Sequence, residues 1–109
     1  MENGLYHAII KLPGDVTNFV ATLIDGVIQG GDSVSCFAGT IRFDGDRFLA
    51  ELTTRKYAEL DRYVPVFGPT TASVTVQGKI VGRDAAVGVA TSPQAPRVVA
   101  DIEFRRLAL

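Results

Sequence analysis

Few side chains in this 109-residue sequence are suited to catalysis or metal binding. It contains one histidine, His7, one cysteine, Cys36, and no tryptophan. A structural zinc site needs four nitrogen or sulfur ligands and a disulfide needs two cysteines, so one chain can form neither. A general base needs an orienting carboxylate and a nucleophile, and no serine-centred nucleophile motif is present. We therefore expect a surface or structural role for His7, an inert thiol at Cys36, and no catalytic residue, metal, cofactor or enzymatic activity.

Two short motifs combine glycine with aspartate. Asp44 and Asp46 flank Gly45. A calcium loop needs about six or more oxygen ligands. The pair therefore indicates either hairpin-turn chemistry or an acidic contact point for a basic partner. The second motif, Gly30-Gly31-Asp32, lacks the lysine and the serine or threonine of a phosphate-binding loop, and it predicts a turn.

The charge balance excludes some partners. Eleven basic and twelve acidic residues leave a formal net charge of −1, which argues against nucleic-acid binding through a wide basic face. The N-terminal residues do not have the basic start and apolar stretch of a secretory signal. No apolar run approaches the ~18 residues that span a bilayer, and the unpaired Cys36 fits a reducing compartment. These features predict a cytoplasmic protein that binds neither nucleic acid nor membrane.

Turn signals divide the chain into eight short segments, and the length predicts one domain over residues 1–109. Glycine, proline and aspartate favour turns by their backbone preferences, and they cluster at seven places: 13–15, 25–26, 30–32, 44–46, 67–69, 82–84 and 92–96. The segments between them are rich in Val, Ile, Thr and Phe, and several alternate apolar with polar residues. This pattern predicts an all-β antiparallel sandwich or barrel.

One stretch, residues 54–63, has apolar residues at helical spacing. Tyr57 and Leu60 are three residues apart, Thr53 or Thr54 can cap the segment, and Pro65 ends it. The segment is too short to be stable alone. It therefore predicts either one short helix or an ordered connecting loop.

The strand pattern also predicts what lies inside a barrel. An eight-stranded barrel is either filled by side chains or holds one small ligand. Small residues on the apolar strand faces, at Gly39, Ala50, Gly78 and Ala100, leave space for a ligand. The larger residues that would line such an apolar cavity are Phe37, Phe43, Phe48, Val74, Val76, Ile102 and Phe104.

The first half of the chain resembles the GrlR family, negative regulators of type III secretion. The resemblance begins in the first strand, residues 3–10, and continues through residues 23–33, where a short hairpin precedes the Gly30-Gly31-Asp32 turn. It extends through residues 36–41, which are similar to the aromatic-x-Gly strand of the family. The second half is similar only in its general strand pattern.

The resemblance implies a lipocalin-like antiparallel barrel of about eight strands that forms a homodimer and has no catalytic activity. It further implies regulation by protein contact, in which the barrel holds a transcriptional activator, such as a helix-turn-helix protein, away from its promoter. The acidic loop of the family corresponds to the turn that contains Asp44 and Asp46, the expected partner-binding residues. The alternative is a small-molecule or lipid carrier of lipocalin type. Exposed apolar residues such as Leu49 or Val99 would supply the dimer contact.

Overall fold

The computed structural model describes residues 1–59, 66–67 and 71–109, which form a closed antiparallel barrel. Each strand pairs with its neighbour in sequence, and the first pairs with the last to close the barrel. The strands are β1 (Gly4–Leu12), β2 (Asp15–Ile24), β3 (Val27–Gly31), β4 (Ser35–Asp44), β5 (Arg47–Lys56), β6 (Thr71–Gly82), β7 (Ala85–Thr91) and β8 (Ala100–Arg106). The expected all-β barrel of about eight strands is confirmed.

Tight turns connect strands at the positions that glycine and aspartate indicate. Asp25 and Gly26, between β2 and β3, both have positive φ, at 49° and 81°. Two such residues match the right-handed twist of the flanking strands. Between β4 and β5 the turn residues are Gly45 and Asp46, because Asp44 still pairs with Arg47. That turn lies one residue later than an Asp44-Gly45 turn.

The structure replaces the first part of the expected helix with strand. Thr54 to Lys56 belong to β5, and the residues at 57–59 are not helical. Ser35 of β4 pairs with Lys56, and Thr71 of β6 pairs with Arg55. These ladders satisfy the backbone on both sides, which outweighs a weak local preference. The rest of the helical expectation, at 60–63, lies outside the described residues.

The two ends of the barrel differ. We call the end that carries both chain termini and the turns at 25–26, 45–46 and 83–84 the terminal end. The end with the other four connections is the cavity end. At the terminal end the Tyr6 hydroxyl, on a ring only 1% exposed, donates to the Glu2 carbonyl. Arg106 there lies 2.9 Å from the Glu2 carboxylate and 3.7 Å from that of Asp84. Burial raises the pKa of Tyr6 above its usual value, and the positive charge of Arg106 partly offsets this effect.

At two glycines of the strands, the neighbouring strand leaves no room for a side chain. A Cβ atom added at Gly39 would lie 2.0 Å from the Glu51 carbonyl oxygen. One at Gly78 would lie 2.0 Å from the Val87 oxygen and 2.7 Å from the Phe48 ring. Gly39 and Gly78 therefore do not leave the room for a ligand that the sequence suggested. Backbone and an aromatic ring already occupy the space.

Candidate ligand-binding cavity

A cavity of about 520 Å³ occupies the half of the barrel toward the cavity end. Small-molecule sites typically have volumes of ≈ 300–1,000 Å³. Its wall is mainly apolar. Phe67, between β5 and β6, contributes to it, and strands around the barrel contribute Ala8, Ile10, Leu12, Phe19, Phe37, Leu52, Val74, Val76, Ala90, Ile102 and Phe104. These side chains line the cavity because inward and outward positions alternate along every strand.

Five of the seven residues expected around an apolar cavity do line it: Phe37, Val74, Val76, Ile102 and Phe104. Phe48 does not. It is buried in the terminal half, where its ring meets that of Phe104 edge to face with centroids 6.2 Å apart. Phe48 therefore helps to fill the barrel below the cavity. The small residues Ala50 and Ala100 are fully buried and also lie outside the cavity lining.

Phe43 lies outside the cavity as well. It pairs in register with Phe48, one residue before Asp44 ends β4, and it is 41% exposed. Its position in the alternation is inward, but it lies where the barrel wall ends. The alternation of apolar and polar residues therefore predicts correctly that Phe43 is at an inward position, but it does not predict that Phe43 lies outside the cavity.

The polar part of the cavity was not predicted from the sequence. Asp15 and Asp32 contribute to the lining, together with Thr17, Ser35, Cys36 and Thr54. Both aspartates lie beside connections of the cavity end, after the turn at 13–14 and directly after β3. Their turn chemistry was legible in the sequence. Their contribution to one cavity depends on barrel closure, which places distant strands together.

Backbone amides hold both carboxylates in place. The Asp32 Oδ1 atom accepts hydrogen bonds from the amides of Val34, at 2.8 Å, and Ser35, at 2.7 Å. The Asp15 Oδ1 atom accepts one from the Val16 amide, at 2.8 Å. The Tyr57 hydroxyl donates to the Asp32 carbonyl oxygen. These contacts fix the position of the carboxylates without using the second oxygen of either one.

An aromatic pair forms another part of the cavity wall. The rings of Phe19 on β2 and Phe37 on β4 meet edge to face with their centroids 5.8 Å apart. Both residues are only half-buried, although they pack against the core. Aromatic rings that retain exposure inside a cavity offer apolar surface to a ligand.

The two expected partner-binding residues lie at the opposite end of the barrel. Asp44 and Asp46 are exposed beside the β4–β5 turn. The Asp46 Oδ2 atom is 3.8 Å from the Lys79 ammonium, and Asp44 lies opposite Arg47 in the β4–β5 register. The acidic turn and the cavity are thus separate candidate sites.

Neither His7 nor Cys36 belongs to a cluster with obvious chemistry. The His7 Nε2 atom is 2.8 Å from the Asn18 side-chain oxygen on the outer face of β1 and β2. Cys36 is a half-buried free thiol at the edge of the cavity. Within residues 1–59, 66–67 and 71–109, no group of three or more His, Cys, Asp or Glu side chains is arranged to hold a metal ion.

The same described ranges contain no helix that is long and apolar enough to cross a membrane.

Comparison with known proteins does not assign the chain to a family. No protein-family model matches the chain, and no curated protein matches it in sequence. The resemblance to the GrlR family therefore stays a prediction, and what the protein can bind is inferred from the barrel itself.

Proposed function

We propose that this protein binds one small apolar molecule inside its barrel. The observation that carries the proposal is the cavity of about 520 Å³, whose wall is mainly aliphatic and aromatic. The other half of the same barrel is filled by residues such as Phe48 and Tyr6. The barrel fold itself therefore does not require an empty interior.

The energetics favour an apolar occupant. Each buried methylene group contributes about 0.8 kcal/mol to binding. Wall residues such as Ala90 and Val76 are only 1% exposed and sit in paired strands. The wall is therefore formed before a ligand arrives, and little ordering of the barrel opposes binding.

Fluorescence titration with the neutral apolar dye N-phenyl-naphthylamine tests this proposal. We expect one dye molecule per barrel, with an emission increase on binding. Ala90→Phe places a ring in the cavity. It should weaken binding at least about tenfold, because excluding two methylene equivalents removes about 1.6 kcal/mol. Val89→Phe is the matched control, because Val89 neighbours Ala90 and is 39% exposed on the outer face.

Circular dichroism and urea unfolding establish that each variant is folded, and Ala90→Leu is the smaller substitution if the ring is not accommodated. Dye binding that is absent in the unsubstituted protein would contradict the proposal. So would equal binding by folded Ala90→Phe and Val89→Phe proteins, since that would place the dye outside the barrel.

A second candidate function is regulation by protein contact through the acidic turn. Support comes from Asp44 and Asp46, which are exposed at the terminal end beside Phe43, itself 41% exposed. Carboxylates next to an aromatic ring suit a basic protein surface, such as that of a helix-turn-helix activator. The resemblance to negative regulators of type III secretion supports the same function, and the unpaired Cys36 supports a cytoplasmic location.

Affinity capture from the native cells, quantified by mass spectrometry, tests the second candidate. The Asp44→Ala/Asp46→Ala protein should lose a partner that the unsubstituted protein retains. Asp101→Ala, another exposed carboxylate, should retain it. Equal capture by all three proteins would rule out the acidic turn as the contact.

We also propose that the protein forms a homodimer through one face of the barrel. We call the outward positions of β2, β3 and β4 up to residue 40 the uncharged face. They are Val16, Asn18, Val20, Thr22, Ile24, Val27, Gln29, Gly31, Cys36, Ala38 and Thr40, of which Val16 and Cys36 also border the cavity at the cavity end. Four of its apolar side chains are at least 46% exposed. Depletion of charge is typical of the core of a protein interface. Leu49, by contrast, lies beside Arg42 in the register.

Analytical ultracentrifugation tests the dimer. Val20→Lys introduces a charge on the uncharged face and should give a monomer. Val87→Lys introduces the same charge at an exposed position of β7 and should leave the dimer intact. A monomer for the unsubstituted protein at high concentration would contradict this proposal.

A further inference from the structure

We propose that the cavity selects an amphiphile with a cationic end, and that Asp15 and Asp32 hold that end. This inference rests on the proposed function, because it concerns the same cavity. Its basis is the distribution of charge in the lining. Two carboxylates and no cationic side chain line the cavity among the described residues.

The two carboxylates remain available to a ligand. Neither forms an ion pair within the described ranges, and each uses its Oδ1 atom for backbone amides. The carboxylates of Glu2, Asp46, Glu51, Glu59, Asp84 and Glu103, in contrast, each lie within 4 Å of a lysine or arginine. Asp15 and Asp32 share the lack of a described counter-ion with Asp25, Asp44 and Asp101, and of these five only Asp15 and Asp32 line the cavity.

Lys56 is a cation near the cavity that could serve an anionic ligand instead. It pairs in register with Ser35, which lines the cavity. Its ammonium group lies 2.8 Å from the Glu59 carboxylate, and Lys56 does not contribute to the lining. An anionic ligand would thus meet two like charges without a described counter-charge, whereas a cation would meet two opposite charges.

The apolar wall and the carboxylates lie in an order that suits an amphiphile. Phe104, Ile102 and Val76 line the cavity toward the filled half. Asp15 and Asp32 lie beside connections at the cavity end. A ligand with its hydrocarbon part against the Phe104 ring would place a polar group near the carboxylates. The combination indicates a primary or substituted ammonium ion on an alkyl or aromatic body.

Three probes with the same alkyl chain isolate the effect of the end group: decylammonium, decanol and decanoate. Displacement of N-phenyl-naphthylamine at neutral pH gives the affinity of each, at concentrations below micelle formation. Exposed ion pairs at about 0.7 kcal/mol each, within their usual range, sum to about 1.4 kcal/mol, so two carboxylates give a preference of about tenfold. We expect decylammonium to bind about tenfold more tightly than decanol, and decanoate to bind most weakly.

The Asp15→Asn/Asp32→Asn protein tests whether these two residues cause the preference. An asparagine side-chain oxygen still accepts the amide hydrogen bonds, so the turns should persist. Decylammonium should fall to the affinity of decanol, while decanol itself should be unchanged. The matched control is Asp25→Asn/Asp101→Asn, which makes the same change in net charge at two exposed carboxylates outside the cavity lining. It should retain the full preference.

The outcomes separate this inference from the proposed function. Dye binding with decanoate as the tightest probe would overturn the cationic selectivity and leave the cavity function standing. A decylammonium preference that survives in Asp15→Asn/Asp32→Asn would overturn the role of these carboxylates. Failure of the dye and of all three probes to bind would overturn both proposals.

Discussion

The close packing of neighbouring strands around Gly78 gives the sharpest stability prediction. At Gly78 an added Cβ atom would lie 2.0 Å from the Val87 carbonyl oxygen, about 1.4 Å inside ordinary contact. The same Cβ would lie 2.7 Å from Phe48 Cε1, on a ring that is 4% exposed. Neither neighbour can yield easily, because one is ladder backbone and the other is held in the core. Gly78→Ala should therefore force β6 and β7 apart.

The expected cost exceeds that of ordinary overpacking. Extra methylene groups in a packed core typically cost 1–3 kcal/mol, occasionally more. With backbone and ring both obstructed, we expect the free energy of unfolding to fall by at least about 3 kcal/mol. At about 4–8 °C for each kcal/mol in a domain of this size, Tm should fall by roughly 12–24 °C.

Gly82→Ala is the matched control on the same strand. No atom lies within 4 Å of a Cβ atom added there, and Gly82 does not have positive φ. Losing glycine then mainly restricts the unfolded chain, which stabilises a protein by ≈ 0.4–1 kcal/mol. Urea unfolding followed by far-ultraviolet circular dichroism measures both variants. A loss below about 1 kcal/mol for Gly78→Ala would refute the packing argument.

Three other substitutions test separate parts of the barrel by urea unfolding. Phe48→Ala should lower the free energy of unfolding by about 3–5 kcal/mol. Phe37→Ala should lower it by less than half as much, because Phe37 faces the cavity. Equal losses would contradict a half-filled barrel. Asp32→Ala should lower the free energy of unfolding by about 2 kcal/mol, because it removes two hydrogen bonds from backbone amides. Asp32→Asn should lower it much less, and equal losses would contradict a role for these two hydrogen bonds. The raised pKa of Tyr6 contributes stability that is complete below the unfolded pKa of 10.0 and is lost as the pH rises through the folded pKa. Tyr6→Phe should therefore lose less stability than the unsubstituted protein between neutral and strongly alkaline pH, and identical losses would contradict burial of the phenol.

Local signals in the sequence were sufficient for most of the strands and for the Asp25-Gly26 turn, but not for the end of β5 or the exact position of the β4–β5 turn. Asp25-Gly26 predicts its hairpin because both residues tolerate positive φ, and the structure has that turn. The alternation along β8 places Ile102 and Phe104 inward, as observed. Short antiparallel strands with one apolar face leave few other arrangements, so the fold class follows from the pattern.

Features that depend on contacts between distant strands were not predictable in the same way. The missing side chain of Gly78 predicts free space inside the barrel, whereas Val87 and Phe48 from other strands occupy that space. Asp15 and Asp32 read as turn residues, and only closure of β1 on β8 makes the barrel interior that they border. Strand register and barrel closure therefore determine whether the interior is a cavity or a filled core, and a local sequence pattern predicts neither.

The most direct test of the proposed function locates the ligand within the barrel. Methyl-resolved NMR during a titration with decanol reports on each aliphatic side chain. Saturable shifts should appear at inward residues of the cavity, such as Ala8, Ile10, Ala90 and Ile102, and should be absent at outward residues such as Val20. Shifts confined to the uncharged face, or none at saturating decanol, would contradict a ligand site inside the barrel.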